Sequence, residues 1–206
     1  MSRGFLALSL LLAVRLSAVA AEYKIDPAHS EVLFKVRHMG INTVTGSFDT
    51  IQGSFDVDPK NVEATKGSLT IQVASVNTHN ARRDHHLRSD DFFNAEKFPE
   101  IKFTSKSVKN VNMADSTCDL IGDLTIRDVT REITLRVKGG GIVRDGWGNE
   151  RAAFTATGQI NRFDYNLKWN KVIETGALVA SNEVQLQLTF EGVRPVDAAA
   201  PESPKK

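Results

Sequence analysis

Polar and apolar residues alternate with a period of two through eight separate runs of the chain, and few folds accommodate that pattern. Val32, Phe34 and Val36 alternate with Leu33, Lys35 and Arg37, and Ile51, Gly53, Phe55 and Val57 with Gln52, Ser54 and Asp56. Further runs lie at 69–73, 101–107, 120–126, 133–137, 154–160 and 184–190. Successive side chains of a strand point to opposite faces, so each run reads as a strand with one apolar face. In the last run Val184, Leu186, Leu188 and Phe190 face one way and Gln185, Gln187 and Thr189 the other. Eight such strands, mostly joined by short turns such as Asp128-Val129 and Asp145-Gly146, predict an all-β antiparallel barrel, which removes exposed edges by closing on itself. A two-layer sandwich is the competing architecture.

The ends of the chain have a different character. Arg3 precedes the apolar run Phe5–Val14, and small residues at Val19 and Ala21, or Ala18 and Ala20, suit a signal peptidase. Residues 1–21 therefore read as a cleavable signal peptide, too short to span a bilayer, which implies export. The whole chain has 26 basic and 25 acidic residues; the leader carries two Arg and no acid, so the mature chain has 24 against 25, a net charge of −1. Near-neutrality argues against a nucleic-acid partner and gives no strong pull toward an anionic surface. Cys118 is the single cysteine, which excludes an intramolecular disulfide, and its parity with Leu120 and Leu124 marks a buried apolar thiol. Residues 194–206 are rich in Ala and Pro without periodicity and read as a disordered tail. Residues 22–193 remain as one domain, with no integral membrane segment.

Alternation stops between Asn77 and Phe103. Asn80 can cap a helix and Ala81–Arg88 contains no Gly, Pro or β-branched residue, so a short helix is expected there, inserted between two strands; Pro99 returns the chain to extended geometry. Three His and three Arg fall within Thr78–Ser89. The plain reading is a solvated helix over one end of the barrel, with Asp84, Asp90 and Asp91 as partners. The functional reading is a cationic mouth for a polar or anionic head group, with Arg82, Arg83, His86 and Arg88 as its candidates. A metal site is the third and weakest reading, since His79 and His86 lie seven apart and could share a helix face but no His-x-x-x-His spacing occurs; no metal or cofactor is expected.

The inward faces hold a second clue. Gly46, Gly53, Gly122 and Gly158 all fall on the apolar parity, where a filled barrel would favour branched side chains. Glycine allows the bends of a small barrel, which explains some of them. The sharper expectation is a tubular space left by the missing side chains and lined by Phe34, Phe55, Leu69, Ile71, Phe103, Leu124, Leu135, Phe154 and Leu186, suited to one slender apolar ligand.

These residues carry a family resemblance. Asp26, His29-Ser30, the series Val32, Phe34, Val36, His38, the pairs Gly46/Phe48 and Gly53/Phe55, and Arg83-Asp84-x-His86-Leu87-Arg88-Ser89 followed by Phe92-Phe93 and Phe98-Pro99 resemble the YceI-like polyisoprenoid-binding proteins. Gly122-Asp123-Leu124-Thr125-Ile126, Ile160-Asn161-Arg162, Trp169-Asn170 and Glu183-Val184 extend the resemblance over roughly residues 23–193. Two departures stand out. Asp164-Tyr165-Asn166 replaces the Asp-Phe-Gly of many relatives, with Asn able to keep the left-handed turn, and Arg127-Asp128 replaces a central Asn-Gly turn. The resemblance implies a lipocalin-like barrel, periplasmic location and an isoprenoid lipid or quinone held with its tail inside.

The leading expectation is an exported soluble carrier for such a lipid, and not an enzyme. No nucleophile elbow, phosphate loop or metal motif is present in the sequence, and Asp84 and His86 do not face each other on a helix. A filled barrel with a structural or stress-protective role is the main rival, and a lipid-modifying enzyme the weaker one. A homodimer is a further arrangement such a barrel can take.

Overall fold

The structure is a computed structural model and describes residues 22–172 and 178–196; the expected leader, residues 1–21, and residues 197–206 lie outside them. Its strands are β1 (Glu22–Ile25), β2 (Glu31–His38), β3 (Asn42–Phe48), β4 (Ile51–Asp56), β5 (Lys66–Gln72), β6 (Val76–Asn77), β7 (Glu100–Asn112), β8 (Thr117–Ile126), β9 (Val129–Arg144), β10 (Asn149–Asn161) and β11 (Ala180–Pro195). One helix, α1 (Ala81–Arg88), interrupts them. Pairing runs β1-β4-β5-β7-β8-β9-β10-β11 and back to β1, all antiparallel, which closes an eight-stranded barrel.

β2, β3 and β6 continue three of these staves. β11 pairs through Ala180–Thr189 with β2 and through Gly192–Val193 with β1, so β1 and β2 are one stave broken at the turn Pro27–His29. Likewise β3 pairs with β2 and β6 where β4 pairs with β1 and β5. Each alternating run of the sequence falls on its own stave, and closure excludes the sandwich.

The breaks have local causes. Pro27 has no N–H to give to a ladder, and the Asp26 carboxylate accepts from Ala28 N at 3.0 Å. The other two breaks hold each other: Asp49 N donates to Ser75 O at 3.2 Å, Thr50 N to Ser75 Oγ at 3.0 Å, and Gln72 N to Thr50 O at 3.0 Å.

The helix begins and ends where the sequence places it, with Asn80 Oδ1 accepting from Arg83 N at 3.0 Å. It lies at one end of the barrel with the turns 127–128 and 39–41 and the loop after β10; this is the helix end. The loop 57–65 and the turns 113–116 and 145–148 make the opposite, hairpin end. β11 runs to Pro195, so Arg194 and Pro195, expected in the tail, belong to the last strand. Asn166 takes φ 61°, so the left-handed turn survives without glycine.

The inward glycines are not holes. A Cβ at Gly46 would lie 2.3 Å from Phe34 Cζ and 2.8 Å from Thr78 Cγ2; at Gly122 it would lie 2.4 Å from Phe103 Cζ, and at Gly158 2.6 Å from Leu135 Cδ2. A neighbouring side chain already occupies each place, so glycine here lets rings and leucines lie against the wall.

Candidate ligand-binding cavity

A cavity of about 660 Å³ runs along the barrel interior. Packed protein interiors keep few voids larger than a water molecule, so a space of this size is a built feature. Phe34, Phe55, Leu69, Ile71, Phe103, Leu124, Leu135, Phe154 and Leu186 all line it. Phe48 and Phe93, which parity reading did not single out for the lining, extend the wall, with Phe48 5.5 Å from Phe34 and 5.7 Å from Phe93 between ring centroids.

At the helix end the lining turns polar. Arg83 and His86 reach the cavity; Arg82 is exposed and does not, and Arg88 turns away, donating to Ala74 O and Val76 O at 3.4 Å each and so fastening β6. Asp84 is buried and acts through Thr78. Its Oδ1 accepts from Thr78 N at 2.9 Å and Thr78 Oγ1 at 2.5 Å, and Thr78 in turn accepts from Arg83 Nε at 2.7 Å and Nη2 at 2.8 Å. The Arg83 guanidinium is thereby aimed by a neighbouring carboxylate through one hydroxyl.

His86 is held in an aromatic cluster, edge-on to Phe92 and to Trp169 with 5.0 Å between centroids in each case, while its Nε2 lies 2.8 Å from Asp91 Oδ2. All three rings line the cavity and cover it at this end. His38, from the end of β2, lines the cavity as its parity requires, whereas His29 is exposed and pairs with Asp26 at 2.9 Å.

Two arginines that sequence reasoning gave no role assemble this end. Arg162 is buried and donates to the carbonyls of Ser181, Leu167, Trp169 and Ala180, and burial lowers its pKa. Arg127 Nη1 donates to Phe92 O at 2.8 Å and Asn166 O at 3.1 Å, joining the segment after α1 to the β8–β9 turn and the loop after β10. Their only advance signal was the Ile160-Asn161-Arg162 and Arg127-Asp128 sequence itself, since carbonyl partners leave no pattern.

The hairpin end is different. There the cavity is lined by Pro59, Val62, Val111, Met113, Cys118 and Ile142 together with Thr65, Lys66, Asn112, Ser116 and Thr117, with no arginine or histidine among the described residues, and Met113 is 65% exposed. The opposite side of the bore is filled by a chain of rings, Tyr23–Phe55 stacked at 5.4 Å, Phe55–Phe154 edge-on at 5.0 Å and Phe154–Phe190 tilted at 5.4 Å. Above them the Tyr23 hydroxyl donates to Glu150, which also accepts from Arg194 Nε at 2.9 Å. Burial, then the Glu150 hydrogen bond, push the Tyr23 phenol up to about 12. Burial also raises the Cys118 thiol, which keeps it protonated and unsuited to nucleophilic chemistry.

Asp26, His29 and Glu191 are close enough to hold a cation, but Arg151 Nη1 already lies 3.1 Å from Asp26 and 2.5 Å from Glu191, and so places a protein cation between the two carboxylates. No described helix is long and apolar enough to cross a membrane.

The model of the YceI-like domain matches residues 23–192. The chain is 43% identical over 180 residues to protein YceI of Escherichia coli O17:K52:H18, covering 86% of this chain and 90% of that one. Its fold is similar to that of the Campylobacter jejuni YceI protein, with a TM-score of 0.67 and 32% identity over 79% of this chain and 91% of the other. A polyisoprenoid binding domain from Saccharophagus degradans has the same fold at a TM-score of 0.59 and 19% identity, over 84% of this chain and 98% of that one.

Proposed function

Because the chain belongs to the YceI-like family, we propose that its barrel is an exported carrier for a single isoprenoid lipid, with the tail inside and the head at the helix end. The observation that carries this reading is the largely apolar bore of about 660 Å³, with Arg83, His38 and His86 gathered at its helix end. Each methylene withdrawn from water contributes about 0.8 kcal/mol, so a dry tube holds a long tail without specific chemistry. The polyisoprenoid-binding relative of the same fold supports the same ligand class.

The head would meet Arg83, His86 and His38, with Trp169 and Phe92 over it. Arg83 and the two histidines would donate hydrogen bonds to a quinone carbonyl or a prenol hydroxyl, and Arg83 can also meet a phosphate. On this reading the site binds its lipid and leaves it unchanged. The leader of residues 1–21 would direct the chain to the periplasm.

Native mass spectrometry of the exported protein, purified without detergent, tests the reading. A retained mass that extracts as a polyprenyl or quinone lipid is expected. A bare chain that stays bare after incubation with such lipids would contradict it, and would return the barrel to a structural role.

A further inference from the structure

Among the described residues five large apolar side chains are exposed, and all five sit at the ends of the barrel. Ile41 (83%) and Val172 (66%) are at the helix end; Met113 (65%), Val143 (63%) and Trp147 (84%) are at the hairpin end. Only Met113 belongs both to this exposed set and to the cavity lining, so apolar surface continues from the bore onto the tip of the β7–β8 turn.

Trp147 is presented by a fixed turn. Asp145 Oδ1 accepts from Trp147 N and from Asn149 N at 2.9 Å each, and its Oδ2 accepts from Asn149 Nδ2 at 3.1 Å and Arg151 Nε at 3.0 Å. The acidic charge of the turn is thus directed to its own backbone and to Arg151. The indole is left outermost, and tryptophan favours the boundary between water and hydrocarbon.

We propose that the hairpin end is a membrane-docking face, with Met113 and Trp147 entering the surface of a lipid bilayer at the rim of the bore. The proposal rests on the lipid-carrier reading. That reading puts the tail tip, not the head, at this mouth, and a bilayer is the one occupant that receives a bare hydrocarbon tail without its crossing water. The mature chain is close to neutral, so apolar insertion carries the attachment and it persists in high salt.

The test uses the mature protein and vesicles of phosphatidylcholine with a minority of phosphatidylglycerol. Wild type floats with the vesicles in low and high salt, and its tryptophan emission moves to shorter wavelength, a shift absent in Trp147→Phe. The double variant Met113→Asn/Trp147→Asn lowers the vesicle-bound fraction about tenfold while native mass spectrometry still finds its ligand. Ile41→Asn/Val172→Asn floats like wild type. Wild type that retains lipid but stays off the vesicles overturns the docking proposal, and so does loss of flotation in the Ile41/Val172 variant alone. Wild type that never holds lipid overturns the carrier reading instead.

Discussion

One buried tyrosine stands at each end of the barrel, and the two are held in opposite ways. Tyr23, at the hairpin end, donates to Glu150 under the Arg194 guanidinium, whose centre lies 4.8 Å above its ring. Tyr165, at the helix end, is as deeply buried, yet its hydroxyl has no hydrogen-bond partner among the described residues. Both phenols are pushed up to about 12, Tyr23 by burial and Glu150, Tyr165 by burial and Asp164. The difference extends to the ends themselves. The hairpin end is tied strand to strand by carboxylate–guanidinium pairs, while the helix end is a set of loops gathered onto two arginines through backbone carbonyls. A rim laced by ion pairs stands at one end, and at the other loops are gathered over a pocket that holds Arg83, His38 and His86.

The largest effect should come from cutting the cover's joint. Arg162→Met leaves the carbonyls of Leu167, Trp169, Ala180 and Ser181 without their donor, a loss expected to reach about 3 kcal/mol. Urea unfolding measures it, and a change under about 1 kcal/mol would mean that the loops hold without the clasp. Next, the two tyrosines should separate at neutral pH. Tyr23→Phe leaves Glu150 short of a donor and should cost about 1 kcal/mol, whereas Tyr165→Phe removes an unpartnered hydroxyl and should be neutral or slightly stabilising. Equal losses would erase the contrast.

Alkaline pH should act on both ends alike. A phenol ionises near 10 in the unfolded chain but only near 12 in the folded one, so folding stability is complete below pH 10 and falls as pH climbs toward 12. Each Tyr→Phe change should remove part of that fall in a pH series of melts. Acid should act mainly on the hairpin end. Hydrogen bonds from Tyr23 and Arg194 lower the Glu150 pKa, and those from Asn149 N, the Asn149 side chain and Trp147 N lower that of Asp145. Their contribution is present above the usual carboxylate range and is lost as pH falls below it. Hydrogen exchange at low pH should therefore rise first in the β9–β10 turn. An earlier rise at α1 would contradict this assignment.

Much of the barrel was legible in advance because a strand's side-chain period is a local property. Alternation placed the eight staves, Asn80 and Pro99 bounded the helix, and parity named nine residues that do line the bore. The breaks at 49–50 and 73–75 were not legible, since each is stabilised by the other across the sheet. Parity also misled at the glycines: it gives the face a residue occupies but not whether a neighbour's ring, such as Phe103 beside Gly122, already occupies that place. Arg83 and Arg88 looked equivalent in sequence, and only the position of Thr78 and β6 sends one to the cavity and the other away from it.

The polarity of the bore is the centre of the account, and photo-crosslinking reads it directly. Two polyprenyl probes would be loaded in turn, one with a photoreactive group at the head and one with it at the tail end, and the labelled peptides mapped by mass spectrometry. Head-end label on α1 and the segment around Trp169, with tail-end label on Val111, Met113 and Ile142, is the predicted result. Head-end label at the hairpin mouth, or the same peptides labelled by both probes, would contradict it.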